Sequence, residues 1–322
     1  MTDSIKPRVG LSRCLEIAAC RYNGQLIPNN FVHKLLDFVE FIPVCPEEEI
    51  GLGTPRDPIR LVMKGNQIRL VQPATGRDVT KHMLDFSGNF LNSLGAIDGF
   101  ILKSRSPSCG PADVKVYPVN EKSAPLAKSR GLFGEAVLRQ FGHLAVEDEG
   151  RLNNFTIREH FLTKLFILAR FREMKKSGKH RNLVEFHSQN KLLYMAYNQK
   201  EARAMGQVTA NADRQPFDTV TEDYSRHLCQ AFSKMPRHTS NINVLMHALG
   251  YFKKELTSRE KSYFLETLEK YRNRKVPLSV PVHVMNSYIV RFDAKYLARQ
   301  TFFNPFPAEF VDITDSGKGR SL

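Results

Sequence analysis

The chain has 322 residues, 42% of them hydrophobic and 25% charged, with a formal net charge of +14. That length predicts two domains, each able to bury its own core. No stretch approaches the run of about 20 apolar residues that a membrane helix needs, and MTDSIKPRVG lacks the segments of a secretory leader, so a cytoplasmic protein without membrane association is expected.

From the N-terminus, short apolar runs predict strands at 7–12, 39–44, 60–62 with 67–71, and 96–102. Amphipathic spacing predicts helices at 30–41 and 80–94, the second capped by Asp78. Strands alternating with helices predict an α/β domain on a parallel, Rossmann-like sheet. Residues 114–136 are expected to form a strand and a long loop, and the acidic run VEDEG at 146–150 a linker. Beyond it helical patterns dominate, at 157–176, 182–207, 223–232, 241–252, 258–273 and 279–295, before a tail after Phe310 expected to fray. The expected organisation is therefore a catalytic domain over 1–150 and a mainly α-helical C-terminal domain over 151–322.

The charge follows the same division. Residues 1–150 carry 18 Lys and Arg against 17 Asp and Glu, whereas residues 151–322 carry 29 against 16. A near-neutral half joined to a strongly basic one points to a chemistry module attached to a polyanion-binding module.

Five cysteines, Cys14, Cys20, Cys45, Cys109 and Cys229, are an odd number in an expected cytosolic chain, which argues against a disulfide framework. Buried thiols, nucleophiles or metal ligands remain. Cys14, Cys45 and Cys109 each follow an apolar run, and in an open parallel sheet the loops beyond the carboxyl ends of the strands converge on one crevice. No CxxC or Cys-x-His pair favours zinc. An iron-sulfur cluster tolerates widely separated thiolates, and three of them would leave one iron of a 4Fe-4S cluster open. The same three loops carry a carboxylate two residues after Cys45, a lysine and several hydroxyls, which are groups suited to acid-base work.

The trio SRCLEIAACRYNG, VCPEEEIGLGTPR and ILKSRSPSCG resembles the signature of the thiouracil desulfidase family over roughly the first 145 residues, and LVEFHSQNKLLYMAYNQKEARAMGQ at 183–207 is similar to the C-terminal domain of its longer members, the tRNA 4-thiouridine desulfidases. The resemblance implies a 4Fe-4S cluster held by Cys14, Cys45 and Cys109, with Cys20 at a position where other members often have a non-ligand. It implies acid-base work for Glu47, with Lys103, Ser104 and Ser108 near the substrate. The implied reaction is non-redox: the thiocarbonyl sulfur binds the open iron, water activated by Glu47 attacks the carbon, sulfide leaves, and Lys103 stabilises charge on the base. The chain departs from the family in having Asn23 in RYNG, where RYDG is usual, and an arginine before Cys14, where a small residue is common. The implied partner is tRNA containing 4-thiouridine, with no obligate protein partner. Free thiouracil as substrate, or a non-catalytic iron-sulfur RNA-binding protein, are the alternatives.

In the basic half, Arg170, Arg172, Lys175, Lys176, Lys179 and Arg181 cluster just after an apolar helical stretch. Six cations there exceed what helix capping needs, and phosphate contact with counterion release accounts for such a run. Lys191, Arg203 and the KYRNRK run at 270–275 are further candidates for RNA contact. His187 and Asn190 are expected to be a buried polar pair that fixes helix packing, with Phe186, Tyr194 and Tyr197 in the core.

Overall fold

The structure, a computed structural model, describes residues 5–119 and 124–310, so the expected fraying after Phe310 lies outside the described residues. The chain divides into two compact units, residues 1–170 with 309–322, and residues 171–308. The division falls beyond residue 150, within a helix.

In chain order the first unit holds β1 (Arg8–Ser12), α1 (Asn30–Leu35), β2 (Glu40–Val44), α2 (Pro46–Glu49), β3 (Arg60–Lys64), β4 (Gln67–Gln72), β5 (Arg77–Asp78), α3 (Thr80–Ser93), β6 (Gly99–Leu102), β7 (Val114–Pro118), β8 (Ala127–Ser129), α4 (Leu132–Phe141) and β9 (Ala145–Asp148). Helix α5 (Phe155–Lys175) begins there. Strands β2, β1, β6 and β9 lie side by side in that order, and all run parallel. Strand β6, GFIL, is buried at every position, as parallel strands covered on both faces require. A second, mixed sheet runs β5, β4, β3, β7, β8, with only β3 and β7 parallel. Val44, Leu61, Leu70, Met83, Phe100 and Phe133 share one apolar core. Each such side chain contributes about 1.5–3 kcal/mol by leaving water.

Three local expectations change. The helix expected over 30–41 stops at Leu35, because Glu40 and Phe41 are taken into the β1 ladder opposite Arg8 and Val9. Asp78 is not the cap of α3: it ends β5, its carboxylate accepts from Thr80 N at 3.0 Å, and Val79 holds the cap position. Most consequentially, VEDEG is not a linker. Ala145, Val146, Glu147 and Asp148 pair with Gly99 to Leu102 as the fourth parallel strand. Asp148 is buried there, and its carboxylate, which burial pushes up in pKa, accepts from Arg151 N at 2.9 Å.

The second unit contains α6 (His180–Tyr197), α7 (Gln199–Ala210), α8 (Phe217–Ala231), α9 (His238–Gly250), α10 (Ser258–Arg272), α11 (Ser279–Arg291) and α12 (Lys295–Ala298). The single helix expected over 182–207 is two. Asn198 adopts an extended conformation and its side chain accepts from Lys200 N and Glu201 N, so it caps α7 and ends α6. A distant side chain also bonds to the backbone of α6, which runs unbroken from His180 to Tyr197. The Gln300 amide donates to Ser188 O (2.8 Å) and accepts from Leu192 N (3.1 Å), the two groups that an unbroken helix joins to each other.

Candidate active site

The carboxyl ends of the four parallel strands supply the site. Cys14 lies two residues past β1, Cys45 directly follows β2, Lys103 and Ser104 follow β6, and Glu149 directly follows β9. The strand order reverses direction between β1 and β6, the point at which open α/β sheets place their ligand crevice. Here it is a cavity of about 420 Å³ lined by Ser12, Cys14, Cys20, Cys45, Glu47 and Arg56 among others, and by the loop from Lys103 to Pro107 with Cys109.

The structure thus brings together the three expected thiols and adds a fourth, Cys20. All four are free, and Cys20, Cys45 and Cys109 are buried. The Cys20 side chain hydrogen-bonds with those of Cys14 and Cys45, and its thiol pKa is raised, first by the bond with Cys14. Cys45 is raised by its bond with Cys20 and by burial. Cys109 is raised chiefly by burial, although Ser12 and Ser106 hydrogen-bond to it.

Glu47 is held on both oxygens. Oε2 accepts from Arg56 Nε (2.9 Å) and Nη2 (2.5 Å), and Oε1 accepts from Ser108 Oγ (2.9 Å). The Arg56 side chain is 3% exposed, and it also donates to Cys20 O at 3.1 Å. One arginine therefore ties the loop after β2 to the loop after β1. Glu48 has other partners: Thr54 Oγ1 donates to it at 2.6 Å and Arg13 pairs with it, which together hold its carboxyl below the usual range.

The serines separate by role. Ser108 is wholly buried and its hydroxyl is used on Glu47, whereas Ser106 lines the cavity and accepts from the amides of Ser108 and Cys109 at 3.2 and 3.1 Å. Lys103 Nζ is paired with Glu149 and also donates to Ser104 O (3.2 Å) and Ser104 Oγ (3.0 Å). Glu149 in turn accepts from Ser104 N (2.7 Å) and Ser104 Oγ (2.8 Å).

The Cys109 loop is seated on the start of α4. Gly131 N donates to Gly110 O (2.8 Å), Leu132 N to Pro107 O (3.2 Å) and Gly134 N to Ser108 O (3.0 Å), so loop carbonyls satisfy amides that a helix start leaves unpaired. The approach is close enough that a Cβ on Gly134 would lie 2.6 Å from Cys109 O.

The donor set fits an iron-sulfur cluster. It is all thiol, and Arg13 and Arg56 stand beside it as countercharge. Arg13 Nε, next to Cys14, is a buried donor without a hydrogen-bond partner, as expected beside an anion.

Residues 9–149 match the family model described as 2-thiouracil desulfurase, and residues 191–307 match the protein of unknown function family DUF1722. The uncharacterized protein YbbK of Bacillus subtilis (strain 168) is 33% identical over 107 residues, 31% of this chain and 71% of that protein. The chain belongs to the 2-thiouracil desulfurase family. The uncharacterized protein YbgA of Escherichia coli (strain K12) is 27% identical over 158 residues, 48% of this chain and 93% of that protein. Among solved structures, the 4Fe-4S-dependent thiouracil desulfidase TudS matches 46% of this chain and 93% of its own at 30% identity, with a TM-score of 0.37.

For this member of the 2-thiouracil desulfurase family, sequence reasoning missed Arg56, Arg13 and Glu149. Arg56 stands at the end of the quoted CPEEEIGLGTPR, where its charge beside Glu47 was the available signal. Glu149 was hidden in the supposed linker. Asn23 is exposed, and its side chain bonds with Gln25 to shape a turn.

Of the residues expected to bind RNA, Arg170 falls in the first unit and the rest in the second. Glu173 takes up both Arg172 and Lys176. Lys175, Lys179, Arg181 and Lys191 are exposed and make no ion pair among the described residues. Asn190 is buried, donating to Phe186 O (2.7 Å) and accepting from Thr301 Oγ1 (2.6 Å), while His187 Nδ1 bonds Tyr224 Oη at 3.1 Å. No helix among the described residues is long and apolar enough to cross a membrane.

Proposed function

We propose that this chain removes sulfur from 4-thiouridine in tRNA, giving uridine and hydrosulfide, with a 4Fe-4S cluster held by Cys14, Cys45 and Cys109. The observation that carries this reading is the convergence of three free thiols from three parallel strands on a cavity that also holds the clamped carboxylate of Glu47. When bound, the cluster supplies a soft Lewis acid for the thiocarbonyl sulfur.

The protein's own groups then divide the remaining work. A carboxylate offers about four lone-pair sites. Arg56 occupies both on Oε2 and Ser108 one on Oε1, which leaves Glu47 a single direction in which to accept a proton from water. Glu47 is thus a general base whose aim is fixed before substrate arrives. Lys103 has all three N–H donors engaged by Glu149 and Ser104, so it acts on the base as a nearby positive charge, or by exchanging its Ser104 contact for one to the base.

The charge of residues 151–322 supports a polymeric substrate over a free base, and Lys175, Lys179, Arg181 and Lys191 supply unpaired surface cations for phosphate. A thiouridine in folded tRNA would leave its stack to enter the cavity, and such a substrate sets the reaction in the cytoplasm. The experiment is anaerobic reconstitution followed by hydrosulfide release from thiolated tRNA and from free thiouracil. The expected result is a brown protein that desulfurates tRNA faster and loses colour and activity together on Cys109→Ala. Colour without activity on either substrate would sink the enzyme reading, and equal activity after truncation near residue 170 would sink the tRNA reading.

A further inference from the structure

The resemblance accounts for three of the thiols in the cavity and leaves the fourth without a task. Cys20 lies in the loop between β1 and α1 and is 3% exposed. Its backbone is fixed on both sides: its amide donates to Ala18 O at 2.8 Å, and its carbonyl accepts from Arg56 Nη2 at 3.1 Å and from Cys45 Sγ at 3.8 Å. Its sulfur is set among other ligating groups. Cys20 Sγ, Cys45 Sγ and a carboxylate oxygen of Glu48 all lie within 4.8 Å of one another, and the Cys20 side chain bonds to those of Cys14, Cys45 and Arg13.

Within that trio Glu48 is committed elsewhere, to Arg13 and Thr54. Cys20 is not, since its bonds run to two of the very thiols that the cluster would claim. A packing residue would be expected among hydrocarbon; this sulfur instead contacts two thiols and an arginine.

We propose that Cys20 is a fourth, displaceable ligand, closing the iron that Cys14, Cys45 and Cys109 leave open until a thiolated base takes its place. The inference rests on the cluster reading given above. On capping, an iron–sulfur bond forms to Cys20 as the thiol proton leaves to water through the cavity mouth. On substrate entry that bond breaks, the thiocarbonyl sulfur becomes the ligand, and Cys20 regains a proton. No electron is transferred in either direction.

A cluster in which every iron carries a protein ligand resists oxidative loss of iron, whereas an iron without one is readily shed to leave a three-iron cluster with its own paramagnetic signal. Wild type, Cys20→Ala, Cys20→Ser and the control Cys229→Ala are reconstituted anaerobically, assayed for iron and sulfide, and titrated with ferricyanide while the three-iron signal is followed. Wild type and Cys229→Ala should retain the fourth iron. Cys20→Ala should lose it at least about tenfold faster, taking the smaller effect of removing an outer-shell partner as the floor. Cys20→Ser, which keeps a weaker oxygen ligand, should fall between them. Equal rates in wild type and Cys20→Ala, with full clusters in both, would overturn the role of Cys20 alone. A wild-type chain that assembles no cluster would overturn the cluster reading and this inference with it.

Discussion

Arg56 grips Glu47 through two nitrogens on a single oxygen, at 2.9 and 2.5 Å, and both side chains are largely withdrawn from water. Lysine can bring charge to that carboxylate but not the planar pair of donors. Arg56→Lys should therefore keep the fold and lower the desulfuration turnover about 10–100-fold, with Glu47→Gln losing about 10²–10⁴-fold as a removed general base does. Steady-state rates beside thermal melting curves decide it; unchanged turnover in Arg56→Lys would show that the clamp does not aim the base.

Lys103 and Glu149 form the second charged pair at the sheet edge, with Ser104 bonded to both. Removing either partner strands the other, so Lys103→Met and Glu149→Gln should each destabilise. The double variant should be more stable than the two single losses sum to, with a coupling of about 1–3 kcal/mol. A double-mutant cycle by denaturant titration measures that coupling, and strict additivity would mean the pair is incidental.

Gly134 touches the Cys109 loop backbone to backbone. In Gly134→Ala the new Cβ would meet Cys109 O at 2.6 Å and Gly110 O at 2.7 Å, neither of which is a side-chain end that can swing away. The expected cost is about 1–3 kcal/mol, the usual range for overpacking. Iron content after reconstitution should fall as well, because the displaced loop carries a ligand. Normal stability with normal iron uptake would refute the contact's importance.

Glu159, in α5, has its carboxyl pushed up to about 7 by burial. The folded state then holds a proton that the unfolded chain, titrating near 4.5, releases earlier, so stability is complete below about pH 4.5 and declines as pH rises through about 7. Glu159→Gln removes the titration. It should leave stability at pH 4.5 nearly unchanged and raise it at pH 8 by up to about 3 kcal/mol, at 1.36 kcal/mol per pKa unit. Chemical denaturation at the two pH values tests this, and an equal effect at both would disprove it.

Gln300 bonds through its own amide to both Ser188 O and Leu192 N of α6. Gln300→Ala removes both of these bonds, at about 0.5–1.5 kcal/mol for each. The expected loss is about 1–3 kcal/mol, read from the unfolding of the full chain, and a loss below about 0.5 kcal/mol would mean that the two bonds add nothing to α6.

The thiols could be read from the sequence because their signal is local: an apolar run that becomes a parallel strand, then at once a polar loop with a cysteine, as at VCPEE and SRC. Tyr194 and Phe186 were legible as core for a similar reason, since helical spacing alone puts them on a buried face. Strand β9 was not legible. Its four residues, AVED, carry two acids, and only pairing with β6, more than 40 residues away, turns them from a surface run into an edge strand. Arg56 was missed because a cation in a Gly-Pro turn ordinarily means solvent, and its burial depends on loops from β1 and β2 meeting around it. The break at Asn198 was missed because the apolar period continues on both sides of a cap that no period reveals.

Glu149 follows the last strand to join the sheet, so synthesis order bears on when the pocket becomes whole. A nascent chain displaying only residues up to 145 has the four cavity cysteines and Glu47 already made, yet lacks the edge strand and the carboxylate that restrains Lys103. Any excised version of the catalytic half must accordingly extend past Glu149 and keep the turn that Asp148 closes onto Arg151, and the compact unit to which both belong runs on to Arg170.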